Sequence, residues 1–397
     1  METNVKVAVR CRPMSTREQA RGCGTIIKTT KTSVHIDPPA DNDEHGGAKV
    51  AKDFTFDHCY FTESTQDEVY QDLGAPVVKQ ALDGFNCTIF AYGQTGSGKT
   101  HSMMGVPDDD LLSGVVPRLN DDLWNKIREL EEAGAKKVKD SGGEEKAPEY
   151  MITVSFLEIY NEEIKDLLNP SSKAMKIRES PDQGIYVQDL CILIVKNKEA
   201  VMQLIDQGNT VRRVAATKMN DTSSRSHSVF TLRIEQRTIE ELEGGVTKTS
   251  LVKAKLNLVD LAGSERADKT GAVGDTLKEG ANINMSLMAL GNVINALSEM
   301  SAHKGKKKTH IPYRDSKLTR LLQESLGGNA ATVMLAAISP ADYNFDETLS
   351  TLKYVIVRGL VFYVLGSIPL LYCCHIPYLV VHKKALIFFY HCTTPLY

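Results

Sequence analysis

The 397-residue sequence predicts an α/β fold, with a mixed, mostly parallel central sheet and helices on both faces. Three observations carry that expectation. Short runs rich in β-branched residues alternate with helical apolar patterns along the first 354 residues. One of those runs leads straight into Gly93-Gln94-Thr95-Gly96-Ser97-Gly98-Lys99-Thr100, a complete G-x-x-x-x-G-K-T. Finally, 42% hydrophobic and 24% charged residues are ordinary for a globular chain that can bury a full core.

The strand runs are residues 5–10, 88–92, 151–159, 229–236, 254–260 and 333–338. Helical patterns occupy residues 116–132, 198–211, 282–300 and 316–323. In the third, Ile283, Leu287, Leu290, Ile294 and Leu297 recur at spacings of three and four, so one face is apolar and core-directed. Segments 38–52 and 134–149 are rich in Gly, Lys and Glu and read as surface loops. No internal repeat and no sustained heptad occurs, so no coiled coil is expected and the oligomeric state stays open. The formal charge of -3 argues against a general nucleic-acid partner. Eight scattered cysteines without a C-x-x-C pair suggest neither a disulfide framework nor a zinc site, and point to a reducing cytosolic setting. The first residues have no basic and apolar signal-peptide pattern.

The composition changes at Val355. Residues 359–381 contain no Asp, Glu, Lys or Arg, a length that could span a bilayer. Pro369 and Pro377 fall inside that stretch, and each removes a helical hydrogen bond. The expected organisation is therefore residues 1–354 as the catalytic domain and residues 355–397 as a hydrophobic tail. The tail could be a membrane anchor, a signal to a membrane partner or sequence foreign to the domain; the broken apolar run favours the last.

Residues 88–92 read as a buried strand and Lys99 can open a helix, which is the setting a phosphate-binding loop needs. Glycines let successive backbone N–H groups curl around phosphates, and a helix N-terminus adds a favourable dipole. Lys99 would hold the β- and γ-phosphates, and the Thr100 hydroxyl would ligate Mg²⁺. Such a site also needs an acid at the end of a neighbouring strand. Asp260 supplies it, and Gly263 completes a D-x-x-G whose N–H could reach the γ-phosphate. Alone, this four-residue signal could equally be a strand-ending Asp opening a turn. Asn220-Asp221-Thr222-Ser223-Ser224-Arg225-Ser226-His227 adds hydroxyls and a guanidinium suited to sensing that phosphate, although in isolation it could be a polar turn.

These elements, in this order and ahead of YRDSKLTRLLQESLGGN, resemble the kinesin motor domain. VAVRCRP, IFAYGQTGSGKTHSMMG, FLEIYNEEIKDLL, NDTSSRSHSVF, LVDLAGSERA, LKEGANIN, HIPYRDSKLTRLLQESLGGN and DETLSTLKY each look like a block of that family, correctly spaced from Val5 to Tyr354. GNTVRRVAAT and GSERADKTGA look most like the kinesin-3 class, with the kinesin-2 class second. The resemblance implies a P-loop NTPase fold and a microtubule-stimulated ATPase that splits ATP into ADP and phosphate and couples this to movement. It implies ATP and Mg²⁺ as ligands, tubulin as partner, and a place on the cytoplasmic microtubule cytoskeleton. The alternative is a non-motile microtubule-binding module without neck linker or cargo tail. No Asn-Lys-x-Asp guanine-reading motif follows the P-loop, which weighs against a GTPase.

Carried over by position, Arg10, Pro13 and His101 would contact adenine, and Gly93 to Thr100 would bind phosphates. Ser224 would lie near Mg²⁺, with Asp260 acting on the ion through water. Asp260 and Gly263 would form the second switch, and an Arg225–Glu265 salt bridge would close the two switches over ATP. The family's tubulin-binding face would include Lys306, Lys307, Lys308, Arg314, Lys317 and Arg320. From residue 303 to 320, seven basic residues face the single Asp315, a local charge of +6. Such a patch would raise the encounter rate with an acidic track and weaken with salt. Met285 stands where the family usually has Lys.

Overall fold

The central strand of the sheet owes its place to a run, Cys87–Tyr92, that is apolar apart from one buried, hydrogen-bonded threonine. The computed structural model describes residues 5–39, 50–106, 109–140, 147–171, 174–181, 184–218, 224–242, 246–265, 275–302, 310–327, 330–366, 379–382 and 385–388. Strand β1 (Val5–Cys11) is followed by a small side sheet of β2 (Ile27–Thr29), β3 (Ser33–Ile36) and β4 (Lys52–Thr55). The chain then forms β5 (His58–Tyr60), β6 (Cys87–Tyr92), β7 (Glu149–Tyr160) and β8 (Glu163–Asp166). A hairpin of β9 (Ile177–Ser180) and β10 (Gly184–Val187) precedes β11 (Leu193–Val195), β12 (His227–Leu242), β13 (Val246–Asp260) and β14 (Ala331–Ile338). Near the C-terminus β15 (Leu379–His382) pairs with β16 (Ala385–Phe388).

The main sheet runs β11-β7-β12-β13-β6-β14-β1-β5, with β8 paired on β7. It is mixed. β13, β6, β14, β1 and β5 are mutually parallel, whereas β12 is antiparallel to both β13 and β7. Every residue of β6 is buried, as a strand covered on both faces must be. Its alternate side chains feed two cores: Phe90 and Tyr92 into one, Cys87, Ile89 and Ala91 into the other.

The helices are α1 (Thr16–Ala20), α2 (Gln66–Val69), α3 (Ala75–Leu82), α4 (Lys99–Met103), α5 (Val115–Asp140), α6 (Lys198–Lys218), α7 (Asp275–Ala302), α8 (Lys317–Leu321), α9 (Gln323–Leu326) and α10 (Phe345–Gly366). Val77, Leu119, Leu123 and Ile205, from α3, α5 and α6, cover one face. Leu287, Leu290, Ile294 and Leu297 of α7, with Leu318 and Leu352, cover the other. The predicted α7 stripe is thus buried at those four positions.

Several boundaries differ from the sequence expectation. The loop read at residues 134–149 starts too early, because α5 continues through Gly134 to Asp140. Its solvent side carries Lys and Glu, good helix formers that look like loop composition. The helix read at 316–323 is two, broken at Leu322. Strands β12 and β13 outrun their apolar cores, since the ladder continues through polar rungs such as Glu235 opposite Lys253. α10 passes through the composition change at Val355: Tyr354 stacks on Tyr92 with centroids 4.3 Å apart, and Val355 is fully buried. No described helix is long and apolar enough to cross a membrane. Pro369 and Pro377 lie outside the described residues.

Candidate nucleotide site

The buried strand β6 ends at Tyr92, and α4 begins at Lys99, so the six intervening residues must turn within a short reach. Gly93 and Gly98 make the turn possible. Both have positive φ, 143° and 102°, and a Cβ on Gly93 would sit 2.1 Å from the Ala337 carbonyl oxygen. The loop therefore rests directly on the end of β14.

Lys99 is buried, and its Nζ donates to the carbonyls of Gly93 at 2.8 Å and Gln94 at 3.0 Å. Burial lowers its pKa, while Asp260 and Glu265 oppose that shift. Thr100 Oγ1 donates to Asp260 Oδ2 at 2.9 Å, bringing β13's terminal acid onto the loop. Asp260 Oδ1 and Ser97 Oγ are buried without a hydrogen-bond partner. A carboxylate oxygen left open beside a hydroxyl is the hard-oxygen donor set that Mg²⁺ favours, so these residues fit the expected ion.

The segment after β13 is zipped onto the loop by its backbone. Leu261 N–H donates to Ala91 O, and Ser264 N–H to Gly93 O. Gly263 N–H donates to Ser224 O at 2.8 Å and so joins the segment after β13 to the one that leads into β12. A Cβ there would lie 2.3 Å from both the Glu265 carboxylate and Thr95 Oγ1, so any larger residue would have to push those two side chains apart. The Glu265 carboxylate accepts from Thr95 N–H at 2.8 Å and from Thr95 Oγ1. Arg225 follows Ser224 in a short turn, half-buried, and Asn220 lies outside the described residues.

Beside the loop, Arg10 donates to Gln66 Oε1 at 2.6 Å and to Ser102 Oγ at 3.2 Å. Gln66 in turn donates to His101 O at 2.9 Å, placing Arg10 and His101 on one buried glutamine, while Pro13 is exposed. Burial, then the neighbouring Arg10, lowers the His101 pKa. Thr95, Lys99, Thr100, His101, Ser224 and Asp260 line one cavity of about 580 Å³.

Sequence reasoning missed two supports of this site. His227 is fully enclosed; its Nδ1 accepts from Ala262 N–H at 3.0 Å, so Nε2 donates to Ser286 Oγ of α7 at 2.6 Å. One imidazole therefore links the start of β12, the segment after β13 and α7. Arg212 of α6 reaches the buried Glu158 at 3.2 Å, and Ser226 Oγ donates to the same Glu158 oxygen at 2.6 Å. The signal for His227 was present in the hydroxyl-rich motif, but burial could not be read from a polar string.

On the basic face, Arg314 is exposed, and Lys317 opens α8 with its N–H donated to Glu162 at 2.8 Å. Arg320 is held inward by Glu179 and by Gln323 Oε1. Met285 is exposed on α7. Lys306, Lys307 and Lys308 lie outside the described residues.

A glycine cradle at the end of a central parallel strand, with a Lys-Thr pair facing the acid of the neighbouring strand, defines a P-loop NTPase. Residues 10–357 match the kinesin motor domain family model, and the chain belongs to that family. It is 46% identical over 366 residues to kinesin-related protein 1 of Dictyostelium discoideum, covering 88% of this chain and 16% of that protein. Against kinesin-like protein KIF1A of Rattus norvegicus it is 46% identical, covering 88% and 20%. For human KIF1C the identity is 45%, over 88% and 31%. These relatives support the kinesin-3 class. The chain spans less than a third of the length of each of them. A solved structure of a fast kinesin superposes with a TM-score of 0.75 at 39% identity, covering 89% of this chain and 90% of that one.

Proposed function

We propose that this chain is a microtubule-stimulated ATPase that hydrolyses ATP to ADP and phosphate and couples the reaction to movement along microtubules in the cytoplasm. The observation that carries this reading is the Thr100–Asp260 pair with its open Asp260 oxygen, set against a left-handed glycine cradle. Thr100 and Asp260 would hold Mg²⁺, Asp260 through water, with Ser224 close by. Bound there, the ion would neutralise charge on the transferring phosphoryl group.

The chain's own contribution is positioning. Residues 93–98 present backbone N–H groups to the phosphates, and Lys99 exchanges its two carbonyl partners for phosphate oxygens. Arg10, Pro13 and His101 flank the base. Arg225 and Glu265 form the salt bridge that closes the two switches over ATP and orders the attacking water. The track face comprises Lys306 to Lys308, Arg314, Lys317 and Arg320, with Arg320 freed from Glu179 on contact. Residues 1–354 are the functional core of the motor. The test is an ATPase assay with and without microtubules, comparing ATP with GTP. Microtubule-accelerated turnover of ATP, exceeding that of GTP, is the expected result; no turnover of either would refute it.

A further inference from the structure

A polar cluster ties the nucleotide cradle to the start of α10, the helix that ends the motor. Gln94 Nε2 donates to Asn344 Oδ1 at 3.0 Å. Asn344 Nδ2 donates to Glu18 Oε1 at 2.9 Å and to Ser339 Oγ at 3.0 Å. Arg12 grips both Glu18 oxygens, at 2.7 and 2.6 Å, and its Nε donates to the Gly96 carbonyl at 2.7 Å. Ser339, fully buried at the end of β14, donates to Glu18 Oε1 at 3.1 Å. Ser15 adds a capping box that orients Glu18 on α1.

The geometry is a clasp. Cradle position 94 is bound directly, and position 96 through Arg12 and the buried Glu18 carboxylate, to Asn344, the residue directly before Phe345, where α10 begins. Charge-assisted bonds converging on Glu18 make it stiff. Gln94 and Gly96 carry part of the backbone that must present its N–H groups together. If the clasp opens, that backbone loses its fixed shape and must be ordered again when a ligand binds.

We propose that Asn344 and Glu18 are positioning residues for nucleotide binding, and that the same bonds make the seating of α10 respond directly to whether the cradle is filled. This rests on residues 93–100 being the nucleotide cradle. By linkage, if a seated α10 tightens the cradle, a filled cradle must steady α10 by the same factor.

The test uses the full chain and a fluorescent ADP. Gln94→Ala and Asn344→Ala each remove the bridge, so each should raise Kd about fivefold, the net worth of one hydrogen bond. The double variant should be no weaker than about fivefold, because both changes break the same link. Asn344→Asp keeps the size but sets a carboxylate against Glu18, and should weaken binding at least as much. Amide hydrogen exchange at residues 342–346 supplies the readout a purely structural role would not move: ADP should slow it in the wild type and leave it unchanged in Gln94→Ala, whose loop position lies outside the core. Additive single effects, or ADP protection surviving in Gln94→Ala, would overturn the clasp while leaving the cradle intact. A wild-type chain that bound no ADP would overturn the cradle reading and the clasp with it.

Discussion

Acidification should destabilise this protein through His227, and its surroundings set the size of the effect. The imidazole is 2% exposed. Nδ1 is occupied as an acceptor by Ala262 N–H, and Nε2 is committed to Ser286 Oγ. A second proton would have to enter at Nδ1, breaking the Ala262 bond and placing a cation in the interior. Burial, then Arg212 and Lys99, push its pKa from 6.5 down to about 3. The unfolded chain takes up this proton as pH falls through about 6.5, whereas the folded chain stays neutral until about pH 3. The unfolded state therefore binds more protons in that window, and stability falls as pH falls. His227 alone should cost about 1.4 kcal/mol per pH unit below its unfolded pKa, or about 2 kcal/mol at pH 5. Denaturant unfolding at pH 7 and pH 5, for wild type and His227→Asn, isolates this share. The variant should start about 1–3 kcal/mol less stable, from one stranded partner, yet lose about 2 kcal/mol less on acidification. Equal losses in the two proteins would refute the enclosed, neutral imidazole.

Lys99→Ala should abolish tight nucleotide binding in a fluorescent-ADP titration, since Lys99 is the buried cation at the cradle. Glu265→Ala should keep that binding and lose hydrolysis; wild-type turnover with microtubules present would remove it from the switch. Replacing Lys306, Lys307 and Lys308 with Ala should weaken microtubule co-sedimentation and flatten its salt dependence, with basal ATPase unchanged. Ending the chain after Tyr354 should lower the thermal midpoint relative to a chain ending at Gly366, because the fully buried Val355, worth about 1.5–3 kcal/mol, is removed. Equal midpoints would mean that α10 contributes nothing beyond Tyr354.

The sequence by itself determined the fold class, the phosphate loop and the acid that faces it. These are legible because each depends on local order: a strand's period, a glycine at a left-handed turn, a Lys-Thr pair at a helix start. Thr100 and Asp260 were paired on paper by the chemistry they share, and they meet at 2.9 Å. The tertiary structure alone decided which polar residues became structural. His227 sits in a string that reads as a polar turn, Glu158 in a strand run and Arg320 in a basic patch, yet His227 and Glu158 are buried and Arg320 is held by Glu179. Burial and partners come from segments remote in the chain: Ser286 lies 59 residues from His227, and Glu179 lies 141 from Arg320. Where α10 ends was likewise beyond reach, because composition changes at Val355 whereas the helix buries Val355 and runs on to Gly366. Gln94 and Asn344, 250 residues apart, make the same point: a hydrogen bond needs two groups within about 3 Å, and only the packed chain brings them there.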